Sequence, residues 1–251
     1  MYFLPLPFGL SPEEAIFIAV GLFGAAFVRG VSGFGFSALV IIWTTLIRNP
    51  LPFIPPIFIC EILLTLMLVR KVWVHINWTQ VAALSFGGAI AIIPSVWVMA
   101  RLDEWLARIA ISCLIFILSF ALLMGWQFKK RMGYRGFSLV GIASGMANAA
   151  GVGGLPVALF LAAQPVNAAS FRAILVVYLF ILDIMSLPVM GFSGLVNQDS
   201  FIAAILALPI LAIGIWLGNR QFGKISEKKF RRFVIYMLLF FALLGLFRSL
   251  L

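Results

Sequence analysis

The stretch "AAGVGGLPVALF", Ala149 to Phe160, sets three glycines and a proline between segments that read as apolar helices. A helix broken inside a bilayer leaves backbone N–H and C=O groups without partners, a condition tolerated only where protein or a wet cavity covers them. The same pattern stands in the first half of the chain, where "SGFGFSALV" (Ser32 to Val40) also sets Gly-x-Gly before a small, apolar helix start. How these two breaks are read decides the fold.

Around them the composition is that of a bilayer-embedded chain. Of the 251 residues, 64% are hydrophobic and only 10% charged, with a mean hydropathy of +1.16, far from the soluble range. The net charge of +10 comes from short basic clusters between apolar runs, the placement membrane orientation demands, so nucleic-acid binding is a poor reading of it. No Lys or Arg precedes the first apolar run and no small-residue cleavage site follows it, so the first helix is expected to stay in the mature protein. Cys60 and Cys113 fall inside apolar runs without metal-ligand spacing, and His75 stands alone between Trp73 and Trp78. Neither a metal nor a cofactor is expected.

Uninterrupted runs of spanning length cover 51–69, 79–100, 107–126, 173–190, 200–218 and 232–247. Two segments, 13–47 and 136–163, contain the glycine breaks, and the second is too short for two full crossings. Lys129, Lys130, Arg131 and Arg135 form one basic cluster, and Arg220, Lys224, Lys228, Lys229, Arg231 and Arg232 form another. Both belong on the cytoplasmic face. Two spans lie between them and cancel, so 136–163 enters and leaves on one face as a helical hairpin. The same logic makes 13–47 a hairpin of the outer face, either re-entrant or two short crossings. Arg70 and Lys71 then lie inside, while Glu13, Glu14, Asp103, Glu104 and Asp199 lie outside with Arg48, Arg101, Arg108 and Arg248. Both termini are expected on the outer face.

The expected fold is therefore an all-α polytopic membrane protein of two repeats, 1–135 and 136–251, each a glycine-broken hairpin followed by three transmembrane helices. "LDEWLAR" (Leu102 to Arg108) and "ISEKKFR" (Ile225 to Arg231) match at the last connection of each half. A hairpin plus three spans is an odd number of crossings, which inverts the second repeat. Inverted repeats with interrupted helices point to a secondary transporter with its site at the repeat interface.

That architecture suggests candidate site residues. Free N–H groups at the start of a half-helix hold small anions, which selects Ser32, Gly33, Phe34 and Gly35 in one half and Gly151, Gly153, Gly154 and Pro156 in the other. Close helix packing is the competing reading of these glycines. Arg29, on the face of Gly21 and Ala25, offers a guanidinium fork to a carboxylate, sulfonate or sulfite. Asn148 either donates to the same ligand or bonds between helices. Glu61 and Asp183 are acids in the first span after each hairpin, with Thr65 and Ser186 one turn on as partners. They serve either as proton carriers for coupling or as ion-pair partners of Arg29 or Arg172. Arg172 itself also fits an anchor at a cytoplasmic helix end. Trp73, Trp78, Trp105, Trp126 and Tyr134 read as interfacial residues, while Trp43 and Tyr178 lie deeper and either line the pathway or, in the favoured reading, pack in the core.

"VRGVSGFGFSALV", "GVGGLPVALFLAAQP", "SFRAILVVYL" and "GNRQFGKISEKKFRR" together resemble the sulfite exporter TauE/SafE family of membrane permeases, over nearly the whole chain. Relatives often carry Gly-Gly-Pro-Pro where this chain has Gly153-Gly154-Leu155-Pro156. The resemblance implies transport of sulfite, an organosulfonate or a related small acid across the bacterial inner membrane. Partners would be the anion, the bilayer and protons as a coupling ion. Two other classes compete: an intramembrane hydrolase of a lipid-linked anion, for which nucleophiles and acids are scarce, and an anion channel.

Overall fold

The structure, a computed structural model, describes residues 6–125, 132–222 and 226–250, without the side chains of 227–231 and 248–250. Trp126, Lys129, Lys130, Arg131 and Lys224 lie outside the described residues, as do the side chains of Lys228, Lys229, Arg231 and Arg248. Among the described residues the fold is all-helical: α1 (Pro12–Ser32), α2 (Phe36–Thr45), α3 (Ile54–Val72), α4 (Trp78–Met99), α5 (Glu104–Met124), α6 (Tyr134–Asn148), α7 (Gly154–Ala163), α8 (Ala168–Phe192), α9 (Gln198–Gln221) and α10 (Glu227–Leu250). Six stretches are long and apolar enough to cross a membrane: α1, α3 with its flanking turns, α4, α5, α8 and α9. In α10 the apolar stretch is the shorter Arg232–Phe247.

One difference from the sequence reading is that α1 is a full-length helix rather than a short hairpin arm. Its glycines at 21, 24 and 30 do not interrupt it; the helix ends only where Gly33 turns left-handed at φ 82°. A capping box at Ser11 and Glu14 starts it. Gly35 follows at φ 88° and starts α2, which folds back along α1. Trp43 locks the return: its indole Nε1 donates to the Phe17 carbonyl at 2.9 Å, and its ring occupies the space beside Gly21. Beyond α2, Arg48 donates from Nε and Nη2 to the two Glu14 carboxylate oxygens, each at 2.8 Å, and these bonds raise the guanidinium above its ordinary value. The chain is thus back at the start of α1.

The second hairpin closes in the same way with shorter arms. Phe137 of α6 meets Phe160 of α7 edge to face at 4.9 Å, and the Met132 N–H donates to Gln164 Oε1 at 3.1 Å. Each broken segment therefore leaves and returns at a single end of the bundle, the first where Glu14 meets Arg48 and the second beside the start of α8.

Charge is sorted between the two ends. At one, Glu14 pairs with Arg48, the Phe8 N–H donates to Asp199 Oδ2 at 2.8 Å, and Arg108 donates to the Thr45 carbonyl at 2.9 Å while pairing with Glu104. At the other, where α3 and α9 finish and α8 begins, stand Arg70, Lys71, Arg172 and Arg220. Trp73, Trp78 and Trp105 are exposed near helix ends, the position of an interfacial belt.

Helix packing follows a rule: raising every helix number by five, modulo ten, exchanges like contacts. The pair α1–α9 corresponds to α6–α4, α3–α9 to α8–α4, and α2–α10 to α7–α5, while α3–α8 and α5–α10 map onto themselves. The α1–α9 and α4–α6 pairs are the closest approaches. A Cβ at Gly218 would stand 2.1 Å from the Phe27 carbonyl oxygen, and one at Gly141 would stand 2.1 Å from that of Leu84. Near their ends, α4 and α9 carry matching stacks, Arg101 over Trp97 at 3.3 Å and Arg220 over Trp216 at 3.6 Å.

Because those glycines face backbone, added methyl groups must push the helices apart. Gly218→Ala and Gly141→Ala are each expected to cost about 1–3 kcal/mol, read as a lower melting temperature in detergent. Gly24→Ala, with no atom within 4 Å of the added carbon, leaves the melting temperature unchanged or raises it.

Candidate functional site

Where α3 crosses α8 at the centre of the bundle, the described side chains gather into one polar cluster. Arg29 of α1, wholly buried, donates from Nη1 to Glu61 Oε1 of α3. Its Nη2 donates to Thr65 Oγ1, one turn further along α3, at 2.8 Å. From α8, Asp183 lies against Glu61, close enough for one carboxyl to hydrogen-bond the other when a proton sits between them. Asn148, the last residue of α6, faces Asp183 and donates from Nδ2 to Ser186 Oγ at 3.0 Å. Ser186 in turn donates to the Leu182 carbonyl at 2.8 Å. Arg29, Glu61, Asp183 and Asn148 are all at most 2% exposed.

The residues reach one point because each sits on the inward stripe of its helix. Glu61, Thr65 and Leu68 follow helical spacing on the buried face of α3, and Leu179, Asp183, Ser186 and Met190 do so on α8. A guanidinium in this interior needs an anion beside it, and Glu61 is that anion. The site is unevenly satisfied, however. Arg29 Nε, Glu61 Oε2 and both Asp183 oxygens make no hydrogen bond among the described residues. Such groups are costly to bury unless they change partner or protonation during function.

The two glycine turns have different neighbours. Gly33 packs on Arg172, whose Cγ stands 2.5 Å from where a Cβ would be. Gly35 faces Val28 and Val234. Ser32 Oγ donates to the Val28 and Phe34 carbonyls at 2.8 and 2.9 Å, tying the turn to itself. Phe34 is buried and meets Phe171 edge to face at 6.0 Å. The second turn adjoins the cluster: Gly151, at φ 73°, packs on Ile41 and Ile54, and Gly153 packs on Asn148. Gly153 has an ordinary right-handed backbone; what requires glycine there is Asn148 Oδ1, 2.4 Å from the Cβ position. Ser144 Oγ donates to the Gly153 carbonyl at 2.6 Å. Gly154 opens α7 and Pro156 lies in its first turn, where a missing N–H is tolerated.

Arg172 is not part of the central cluster. It lies eleven positions before Asp183 on α8, about 16 Å along the axis, and donates from Nη2 to the Gly30 carbonyl at 2.6 Å and to Asn219 Oδ1 at 2.9 Å. Its guanidinium stacks over Phe222 at 4.3 Å. It joins α1, α8 and α9 at the basic end, as an end anchor does. Asn219 in this junction was not selected from the sequence, where it looks like part of a loop beside a basic cluster. Tyr178, read as core, is buried with its hydroxyl near Ser144 and Gly88, beside the cluster.

Among the described residues, no three His, Cys, Asp or Glu side chains stand together as metal ligands. Cys60 is a buried free thiol next to Glu61, and Cys113 is half-buried. An apolar cleft lined by Phe8, Ile18, Leu22, Phe53, Ile57 and Ala207 lies between α1, α3 and α9, and offers little polar surface to an anion. Among the described residues, the central cluster brings together a buried cation, amide and hydroxyl groups and two acids.

Removing one partner of a buried ion pair strands the other. Glu61→Ala is expected to cost about 3–5 kcal/mol and Thr65→Val about 1–2 kcal/mol. Glu61→Gln is milder, because its amide oxygen still accepts from Arg29. Melting temperatures of the purified variants in detergent check this order.

Comparison with known proteins places this architecture. No curated protein and no solved structure matches the chain. The family model described as Sulfite exporter TauE/SafE matches residues 17–244, from the middle of the first turns of α1 to the last turns of α10. A polytopic chain with a sealed cationic centre, matched over most of its length, belongs to the sulfite exporter TauE/SafE family of membrane permeases, which are transporters and not enzymes.

Proposed function

We propose that this permease carries a small sulfur oxyanion, sulfite or an organosulfonate, by alternating access, with the anion held at the Arg29 centre. The observation that carries the reading is the Arg29 guanidinium, fully enclosed at the crossing of α3 and α8 and held by an acid that an incoming anion can replace. A channel needs a continuous wet path, whereas an occluded charged centre suits a carrier that opens to one side at a time. The second glycine turn, with the start of α7, supplies backbone donors beside this centre, and the first turn works at the basic end as part of the gate. Glu61 and Asp183 carry the coupling protons.

The exchange symmetry of the helix contacts supports two inverted repeats, 1–135 and 136–251, as the basis of the alternation. The acids and hydroxyls of the centre then have counterparts across the pseudo-two-fold axis, Glu61 with Asp183 and Thr65 with Ser186. The excess of basic residues at the end where Arg70, Lys71, Arg172 and Arg220 stand, against the paired charges of the other end, supports an inner-membrane orientation with the basic end cytoplasmic and both termini outside.

The experiment is uptake of labelled sulfite and of labelled methanesulfonate into proteoliposomes, against protein-free liposomes. Saturable uptake stimulated by the same anion on the far side is expected, and flux that rises linearly with concentration would favour a channel. Arg29→Ala is expected to lower uptake at least tenfold, and Arg29→Lys to restore little, because a point charge does not replace the fork. Uptake by a well-folded Arg29→Ala protein at the wild-type rate would remove the anion from this centre.

A further inference from the structure

The central cluster holds three ionisable groups, one cation and two acids, in an interior sealed from water. With both acids charged, the cluster would carry a net negative charge in a dry medium, beside an Asp183 that has no donor for either oxygen. One proton shared between Glu61 and Asp183 brings it to neutrality and gives the contact between the two carboxyls a hydrogen bond. An arriving anion then upsets this balance. It needs the Arg29 fork, which the Glu61 carboxylate occupies.

We infer that Glu61 is a resident competitor of the substrate: each singly charged anion binds Arg29 only as a second proton reaches the Glu61–Asp183 pair. The inference rests on the transport reading above. In the empty state the charges are +1 on Arg29 and −1 on the acid pair. In the loaded state the proton has bonded to a carboxylate oxygen, Glu61 has released Nη1, and the anion's −1 replaces that of the pair. The sum is zero in both states. The carrier therefore moves one proton with one monoanion, without net charge, and disfavours a dianion, which would leave the centre negative. Bisulfite and sulfonates fit this selection, and doubly charged sulfite does not.

Other titratable groups do not supply the missing charge. Among the described residues, α1 reaches α3 through Arg29; of the elements packed against α3, α8 carries Asp183 with Tyr178 and then Arg172 towards its start, the 73–75 turn carries His75 at the basic end, α2 contains no charged residue, and α9 has its charges, Asp199 and Arg220, at its two ends. Cys60 is the neighbour of Glu61 on its own helix. Against α8, α6 presents Asn148 with Arg135 at its far end, α4 and α7 contain no charged residue, and the 73–75 turn presents His75 at the basic end.

The test uses the full-length protein in proteoliposomes, with labelled methanesulfonate and sulfite as probes. Methanesulfonate has no weakly acidic form that crosses lipid carrying a proton, so an internal pH dye reads only protons moved by the protein. The expected result is about one proton entering per anion, with uptake unchanged by a potassium–valinomycin potential of either sign. Binding of methanesulfonate to purified protein should weaken about tenfold per unit rise in pH across the range where the free pair carries its single negative charge, as uptake of one proton requires. In the Glu61→Gln, Asp183→Asn double variant, which has no acid left to take the proton, that slope should flatten whatever its absolute affinity, a change that mere loss of packing does not produce. Anion flux that moves no protons, or that carries one negative charge per anion and follows the applied potential, overturns the inference while leaving transport standing. A wild-type binding profile independent of pH overturns it even if the double variant does not fold. Absence of flux for both probes overturns the transport reading and this inference together.

Discussion

Everything in this protein is arranged around the burial of one guanidinium. An isolated charge inside a membrane protein is too costly to keep, so Arg29 must carry its counter-ion with it, and Glu61 of α3 supplies it together with the Thr65 hydroxyl. That requirement brings α1 against α3. Asp183 and Asn148 then bring α8 and α6 to the same point. Four helices from both halves of the chain meet through polar contacts where hydrocarbon alone would not specify a register, since apolar side chains gain little by leaving lipid for one another.

The remaining cohesion comes from close backbone approach. Gly30 and Gly218 let α1 lie against α9, and Gly87 and Gly141 let α4 lie against α6. Each of these pairs joins a hairpin arm of one half to the fourth helix of the other half, so the tight units cross the boundary between the halves. The Arg29 cluster lies where Arg29 of α1 and Asn148 of α6 meet the acids of α3 and α8.

The breaks that open the argument divide into two kinds. Gly33, Gly35 and Gly151 are glycines because their backbones turn left-handed. Gly153 is a glycine because Asn148 occupies the space its side chain would need. The second kind ties the turn to the polar centre, since the residue that excludes a side chain at 153 is also the one facing Asp183. The first turn has no such link and instead packs under Arg172, eleven positions away from Asp183 along α8.

By itself the sequence determined that the chain is helical and lies in a membrane, where most of its helices run, and which residues are too polar to face lipid. These follow from local rules: the length of an apolar run, the cost of a charge in hydrocarbon and the conformational freedom of glycine. Glu61 and Asp183 were visible as candidates for that reason, as was the fit of Arg29 to an anion. Only the tertiary structure decided which partner each polar group takes. One sequence allowed Arg29 to sit beneath a glycine turn or beside an acid, and allowed Arg172 to pair with Asp183 or with Asn219. The choice depends on which helices cross and at what depth, and that is set by glycine contacts between α1 and α9 and between α4 and α6, far apart in sequence, whose close approach no local pattern encodes.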